Sequence, residues 1–215
     1  MLRSKFQTEL DRLSIELVEL GNVVNHVIKD CVSALMNNDL DLCNQIIDIG
    51  HQTKTQIDKI EERALKTMLM QQPVARDLRN ITMILKVVHE LDRISRQARE
   101  ICHIVVDLAE LDYVFDVDIL RIMGEHVIEM VKNCVDSFAN LDIDIATQVI
   151  HQDDELDEYF LTLKAQMIDR IKLKQENADS ALYFMMIGKY LEKIGDQSEA
   201  IANWTIYCRS GKKYK

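Results

Sequence analysis

One proline and six glycines are all that interrupt 215 residues, and aromatic residues make up 6%. A sheet protein needs frequent turns, and turns draw on Gly and Pro, so this scarcity speaks against β architecture and for long helices. No run approaches 18 apolar residues, so no membrane span is expected. The N-terminal stretch MLRSKFQTELDR has no apolar core of the kind a signal peptide needs. The five cysteines, at 31, 43, 102, 134 and 208, are odd in number, widely spaced and without a CxxC pair. A disulfide framework or thiolate zinc knuckle is therefore not expected, and most of these cysteines fall in apolar helical stripes as small core residues. No Gly-rich phosphate loop, Ser–His–Asp set or Cys–His set can be assembled, which removes the usual apparatus of nucleotide hydrolysis and nucleophilic catalysis. No basic stripe stands out either. At a net charge of −10 and a pI near 5.1, nucleic acid is not an expected partner.

What remains is 47% apolar residues and 29% charged ones, enough for a substantial helical core. Leu10, Leu13, Leu17, Leu20 and Val24 recur at three and four, one face of a first helix. Periodicity predicts six helices, at about 4–37, 40–70, 74–110, 117–140, 142–173 and 177–208. Pro73 ends the second and suits the first turn of the third. The stretch 110–118 reads as a hinge.

The second three helices repeat the first three. NDLDLCNQII (38–47) returns as LDIDIATQVI (141–150), and Lys29, Cys31 and Val32 return as Lys132, Cys134 and Val135, all 103 residues on. DRISRQAREICHI (92–104) returns 100 residues on as EKIGDQSEAIANW (192–204). The predicted architecture is all-α, two tandem three-helix bundles of antiparallel long helices, spanning 1–112 and 113–215 and meeting end to end or side by side. Acidity is uneven. The first 110 residues hold 17 acids and 14 bases, the remainder 19 acids and 12 bases, so a cation site is expected in the second half.

The last two predicted helices form a hairpin turning near 174–175. In an antiparallel pair, residues with a constant sum of numbers lie level. Asp157 with Glu192, and Asp153 with Asp196, share the sum 349. Each pair of acids on one helix is four apart and so on one face. Four carboxylates this close repel unless solvated, protonated or bridged by a cation. Oxygen ligands suit Mg²⁺, Ca²⁺, Mn²⁺ or iron, and zinc less readily. In the first hairpin, about Pro73, the same positions are Gly50, Lys54, Asp92 and Arg96. Lys54 is expected beside Asp92 in place of a metal, with Arg96 filling the space over Gly50 or reaching solvent. The plainer reading is that acids four apart on a helix are a solvated face.

QQPVARDLRNI (71–81), HELDRI (89–94) and EKIGDQSEAIA (192–202) together resemble the PhoU family of phosphate-uptake regulators. The resemblance covers nearly the whole chain. It implies two symmetry-related three-helix bundles and a cytoplasmic regulator, peripheral to the membrane at most. It also implies action with a phosphate-specific ABC transporter and a sensor histidine kinase, damping phosphate-starvation signalling, with a homodimer allowed. Family metal sites use E/D-x-x-x-D on a helix, with iron or zinc clusters in some relatives. Glu192 and Asp196 match that motif, and Asp153 and Asp157 its partner pair. In the first copy Asp92 matches, but Arg96 stands for the expected Asp, Ser95 for Gly, and Gly50 and Lys54 occupy the partner positions, so no metal is expected there.

Other candidates carry less. Arg76 and Arg79, with Asp77 between them, could bind phosphate or a partner's acids, or be local turn charges. Glu100 and His103 form E-x-x-H, echoed only partly by Asp48 and His51, so a ferritin-like carboxylate enzyme is the weaker alternative. A metal-free helical adaptor is the other. His26, His89, His126 and His151 are scattered and read as cap, packing or surface residues. Trp204, Tyr207 and Tyr183 fit either core or a partner anchor. GKKYK (211–215) is a basic tail that suits an anionic surface or a frayed end.

Overall fold

The computed structural model describes residues 2–70, 75–109, 111, 118–173 and 178–212. Six helices account for nearly all of them: α1 Leu2–Asn37, α2 Leu40–Met70, α3 Ala75–Leu108, α4 Asp118–Asn140, α5 Ile143–Leu173 and α6 Ala178–Ser210. No strand occurs among the described residues. The expected helices are present, with ends within two residues of the sequence reading. Pro73, the 174–175 turn, the 112/113 division and residues 213–215 lie outside the described residues.

The two short interhelical turns show the repeat in backbone detail. Asn38 and Leu141, 103 residues apart, both have a positive φ, 51° and 50°. The next residue in each turn donates its backbone N–H back into the preceding helix, Asp39 to Ala34 and Asp142 to Ser137, both at 2.9 Å. That is the 6→1 closure of a helix ended by a left-handed residue. The same aspartates then cap the following helices: Asp39 accepts from the Leu42 N–H at 3.0 Å, and Asp142 from Asp144 at 2.9 Å and Ile145 at 3.1 Å. Asn tolerates this conformation and Leu does not, at a cost of about 1–2 kcal/mol. Leu141 packs against the core, which holds it in place. Asp142→Ala is expected to cost about 1 kcal/mol, the typical value of such a cap, and Asp39→Ala less because it loses one bond instead of two. Urea melts of the two variants check the order.

Packing places the halves side by side. α1 packs on α3, α3 on α6, α6 on α4 and α4 back on α1, a closed ring of four inner helices. Among the described residues α2 touches only α1 and α3, and α5 only α4 and α6, so each flanks its own half. One apolar cluster runs through both halves, including Leu17, Leu91, Met130 and Phe184. The burial pattern matches: α5 buries a single stripe (Ala146, Val149, Leu156, Leu163, Met167), whereas α3 buries two.

The α1–α4 contact is reciprocal. A Cβ on Gly21 would lie 3.0 Å from side-chain atoms of Val135 and Phe138, and a Cβ on Gly124 would lie 2.7 Å from Val32. Gly21 and Gly124 are repeat-equivalent, as are Val32 and Val135. Each half thus sets its glycine against the other's valine, the signature of a two-fold relation.

An acidic groove and its charge-inverted counterpart

The candidate metal residues lie on the facing sides of α5 and α6. Gly195, a helical glycine, lets α5 come close: a Cβ there would meet Leu156 Cδ2 at 2.4 Å and Asp153 Oδ1 at 2.8 Å. Asp153 is thereby half-buried beside acids. Burial first, then the charges of Glu199, Asp196, Asp157 and Glu192, push its carboxyl from the ordinary 3.8 up to about 7. Asp157, more exposed, is raised by the residual burial and by Glu192 and Asp196. The structure thus gathers Asp153, Asp157, Glu192 and Asp196 into one electrostatic unit. It adds a fifth acid, Glu199, raised by burial and then by Asp196, Asp154 and Asp157, against a hydrogen bond from Asn203.

Lysines on α6 hold its acids along their own helix. Lys189 donates to Glu192 Oε1 at 2.6 Å. It is equally close to Oε2, so the one ammonium is shared between both carboxylate oxygens. Lys193 pairs with Asp196 and stands 3.4 Å from Glu192. In this arrangement no three His, Cys, Asp or Glu side chains among the described residues are disposed around one ion. The chemistry of the donor set nevertheless fits a hard cation. Five carboxylates act on one another at short range, and one of them, Asp153, is driven toward protonation by burial and by its acidic neighbours.

Asp153→Asn is therefore expected to stabilise the metal-free protein above pH 7. The folded-state carboxyl is raised above its unfolded value, so it is neutral in both states below about pH 4 and costs nothing there. The cost grows as pH climbs and is complete above about pH 7. The shift sets a ceiling of about 4 kcal/mol. Solvent screening of this half-buried group reduces that to roughly 1–2 kcal/mol. Thermal melts at pH 4, 6 and 8 with chelator present read it out.

In the first half the equivalent groove, between α2 and α3, differs from expectation in the direct partner of Lys54 and in what covers Gly50; Arg96 is half exposed, the other of its two expected placements. Lys54 makes its direct bridge to Asp58, one turn along α2, at 2.8 Å, and Asp92 acts on it only through its charge. Asp92 is taken by Arg96 at 3.0 Å. Arg96 therefore does not cover Gly50; Arg99 does, its Nη1 standing 1.8 Å from where a Gly50 Cβ would be. Long helical side chains lean toward the helix N-terminus, so a residue covers the turn before its own Cα. Arg99 thus occupies the level that residue numbering assigns to Arg96, and Arg96 leans back onto Asp92. The same register places Glu199, the equivalent of Arg99, over the second-half acids. Glu199 follows Asp196 by three and Glu192 by seven, on one helical stripe, and that spacing was the available signal.

The remaining candidates do not join either groove. Asp77 lies in the first turn of α3, favourable to its dipole. Arg79 approaches Gly211, and Arg79 and Arg76 together act on the Cys208 thiol, against the burial that raises it, so both arginines lie by the C-terminal end of α6. His126 donates from Nε2 to the Gln152 carbonyl at 2.7 Å and sits edge-on to Tyr159 at 5.4 Å, a packing role between α4 and α5. His26 bonds its own helix at Asn22. Glu100, His103 and Asp48 are exposed, and the His51 side chain lies outside the described residues. The ferritin-like set is not assembled among the described residues. Tyr183 and Trp204 pack on the core, and Trp204 lies under Lys86 of α3 at 5.6 Å and edge-on to Tyr207 at 5.8 Å. All five cysteines are buried as free thiols.

The PhoU domain model matches this chain twice, at residues 17–105 and 120–205. The phosphate-specific transport system accessory protein PhoU homolog of Clostridium acetobutylicum is 29% identical over 214 residues, covering 99% of this chain and 98% of the relative. The phosphate-specific transport system accessory protein PhoU of Escherichia coli is 25% identical over 214 residues, covering 100% of this chain and 89% of its own length. The crystal structure of PhoU from Pseudomonas aeruginosa superposes with a TM-score of 0.93 at 28% identity, over 96% of this chain and 100% of the other. Two matched units, two reciprocally packed three-helix bundles and a shared fold end to end place this chain in the PhoU family.

Proposed function

We propose that this protein is a regulatory accessory component of phosphate uptake, a binding protein and not an enzyme. It would damp phosphate-starvation signalling by engaging subunits of a phosphate-specific ABC transporter and a sensor histidine kinase from the cytoplasmic side. The observation that carries the reading is similarity along nearly the entire length to relatives named as phosphate-specific transport system accessory proteins. No described helix is long and apolar enough to cross a membrane, so contact with a membrane transporter would run through a partner surface. Deleting the gene is expected to raise phosphate-responsive expression in phosphate-rich medium. Pull-down from membranes of such cells is expected to recover the transporter or the kinase. Unchanged expression together with recovery of neither would defeat the reading.

The second half supplies the metal-binding part of the proposal. Asp153, Asp157, Glu192 and Asp196, with Glu199, would hold a divalent cation or iron, identity open among Fe, Zn, Mn, Mg and Ca. A bound ion would neutralise the repulsion that the acids now impose on one another. Lys189 and Lys193, both partly exposed at 47% and 36%, have room to turn outward and release the α6 carboxylates. Gly195 keeps the Asp153 carboxylate against α6, where a larger residue would push it away.

A further inference from the structure

The groove between α2 and α3 is a cleft of about 380 Å³ whose polar lining is Lys54, Arg96, Arg99, His103 and one acid, Asp92. We propose that this cleft binds a small tetrahedral oxyanion of the phosphate type, with Arg99 and Arg96 as its principal donors. At three of five positions it inverts the acidic groove, Lys54 standing for Asp157, Arg96 for Asp196 and Arg99 for Glu199; Gly50 replaces Asp153, and Asp92 keeps the acid of Glu192. Where the second half leaves Asp153 among other acids, the first leaves Arg99 among other cations. Lys54 and Arg96 already have carboxylate partners at 2.8 and 3.0 Å. Arg99 has no ion pair among the described residues, and it is held partly inside the cleft over the Gly50 backbone. A guanidinium presents parallel N–H donors that match two oxygens of a phosphate, and a second guanidinium one turn away can take a third. His103, one further turn along α3, adds a ring N–H at the cleft edge.

The whole chain carries −10 and repels anions at long range. Binding therefore depends on these short contacts and should persist at 150 mM salt, where fields beyond about 8 Å are screened. The proposal stands apart from the regulatory reading, since the cleft would bind an oxyanion whatever the protein's partners are.

Calorimetric titration of the full chain with inorganic phosphate, in a buffer free of other oxyanions, tests it. One saturable site is expected. Arg96→Gln with Arg99→Gln should weaken binding at least tenfold, and Arg99→Lys should fall between that variant and wild type, since it keeps the charge and loses the fork. Gly50→Ala is the uncharged test: its methyl group would displace the Arg99 guanidinium without altering any ionisable group, and it strengthens α2 as a helix. It too should weaken binding. Lys164→Gln, an exposed charge on α5, should bind as wild type. A nucleoside monophosphate titrated in parallel separates sources: tighter binding of orthophosphate assigns the free ion, and tighter binding of the monoester assigns esterified phosphate, both within the proposed chemistry. No saturable heat with either ligand would overturn the proposal, as would equal weakening by Lys164→Gln. Neither of those failures touches the expression and pull-down results that decide the regulatory role.

Discussion

Glu192→Gln combined with Asp196→Asn is expected to leave the purified protein without the divalent metal or iron that wild type retains after reconstitution. The two substitutions keep side-chain size and remove the ligand charge on α6, while the α5 acids lose the neighbours with which they would share an ion. Asp153→Asn with Asp157→Asn should do nearly the same from the other side of the groove. Asp92→Asn in the first half should leave metal content unchanged, because Asp92 faces Arg96 across a 3.0 Å ion pair and no acid cluster surrounds it. Metal per chain, measured on protein purified without a histidine tag, gives the primary result. Thermal melts give the second. A ligand at 100 times its Kd stabilises the folded state by about 2.7 kcal/mol, and each kcal/mol moves Tm by about 2–4 °C in a chain of this size. Chelator should therefore lower the wild-type Tm by roughly 5–10 °C and leave the α6 double variant unmoved. Metal lost from Asp92→Asn but kept by the α6 variant would reverse the assignment. Wild type that takes up none of Fe, Mn, Zn, Mg or Ca would make the acids a solvated face. Asp153→Asn then adds a change of sign: stabilising without metal, destabilising with it.

Residues 1–112 expressed alone are expected not to form a stable monomer. α3 buries apolar side chains in two stripes, one through Ile84, Val88, Leu91, Ala98 and Val105, the other through Met83, Val87, Ile94, Ile101 and Leu108. Its packing partners are α1, α2 and α6, and α1 in turn rests on α4. Removing the second half uncovers the α6-facing side of α3 together with the Gly21 and Val32 surface of α1. Five large apolar side chains at about 1.5–3 kcal/mol each come to roughly 10 kcal/mol, which is comparable to the whole stability of a typical domain, about 5–15 kcal/mol. Near-UV circular dichroism should show lost tertiary packing, and light scattering should show association. A monomeric fragment with a cooperative melt would mean that each bundle stands by itself.

The helices were legible because their signals are local. Apolar spacing, the aspartates at 39 and 142 and the scarcity of Gly and Pro each act within a few residues. The duplication was legible too, and with it the antiparallel register that brings Asp153 and Asp157 to Glu192 and Asp196. Side-chain reach was harder. Register compares Cα levels, but Arg99 lies over Gly50 because long side chains lean back along their helix. Glu199 was missed for the same reason. Lys54 was placed beside Asp92, whose charge does act on it, but its direct bridge goes to Asp58, four residues along its own helix. Leu141 at a φ of 50° contradicts its local preference and follows only from its repeat partner Asn38 and from the core behind it. The side-by-side meeting of the halves rests on α3 against α6 and on glycines facing valines across α1 and α4, matches between distant segments that no local pattern announces.

The reciprocal seating of Gly21 on Val135 and Gly124 on Val32 has a bearing on what each half is free to become. A two-fold assembly of separate, identical chains must carry the same groove twice, because any substitution appears in both copies at once. Here the two copies share one polypeptide, so the packing can stay symmetric while the grooves evolve independently. The glycine–valine seam keeps the matching halves together, and residues a helix width away from it are released from matching. One groove carries mainly carboxylates and the other mainly cationic groups, an asymmetry closed to an obligate homodimer of single repeats.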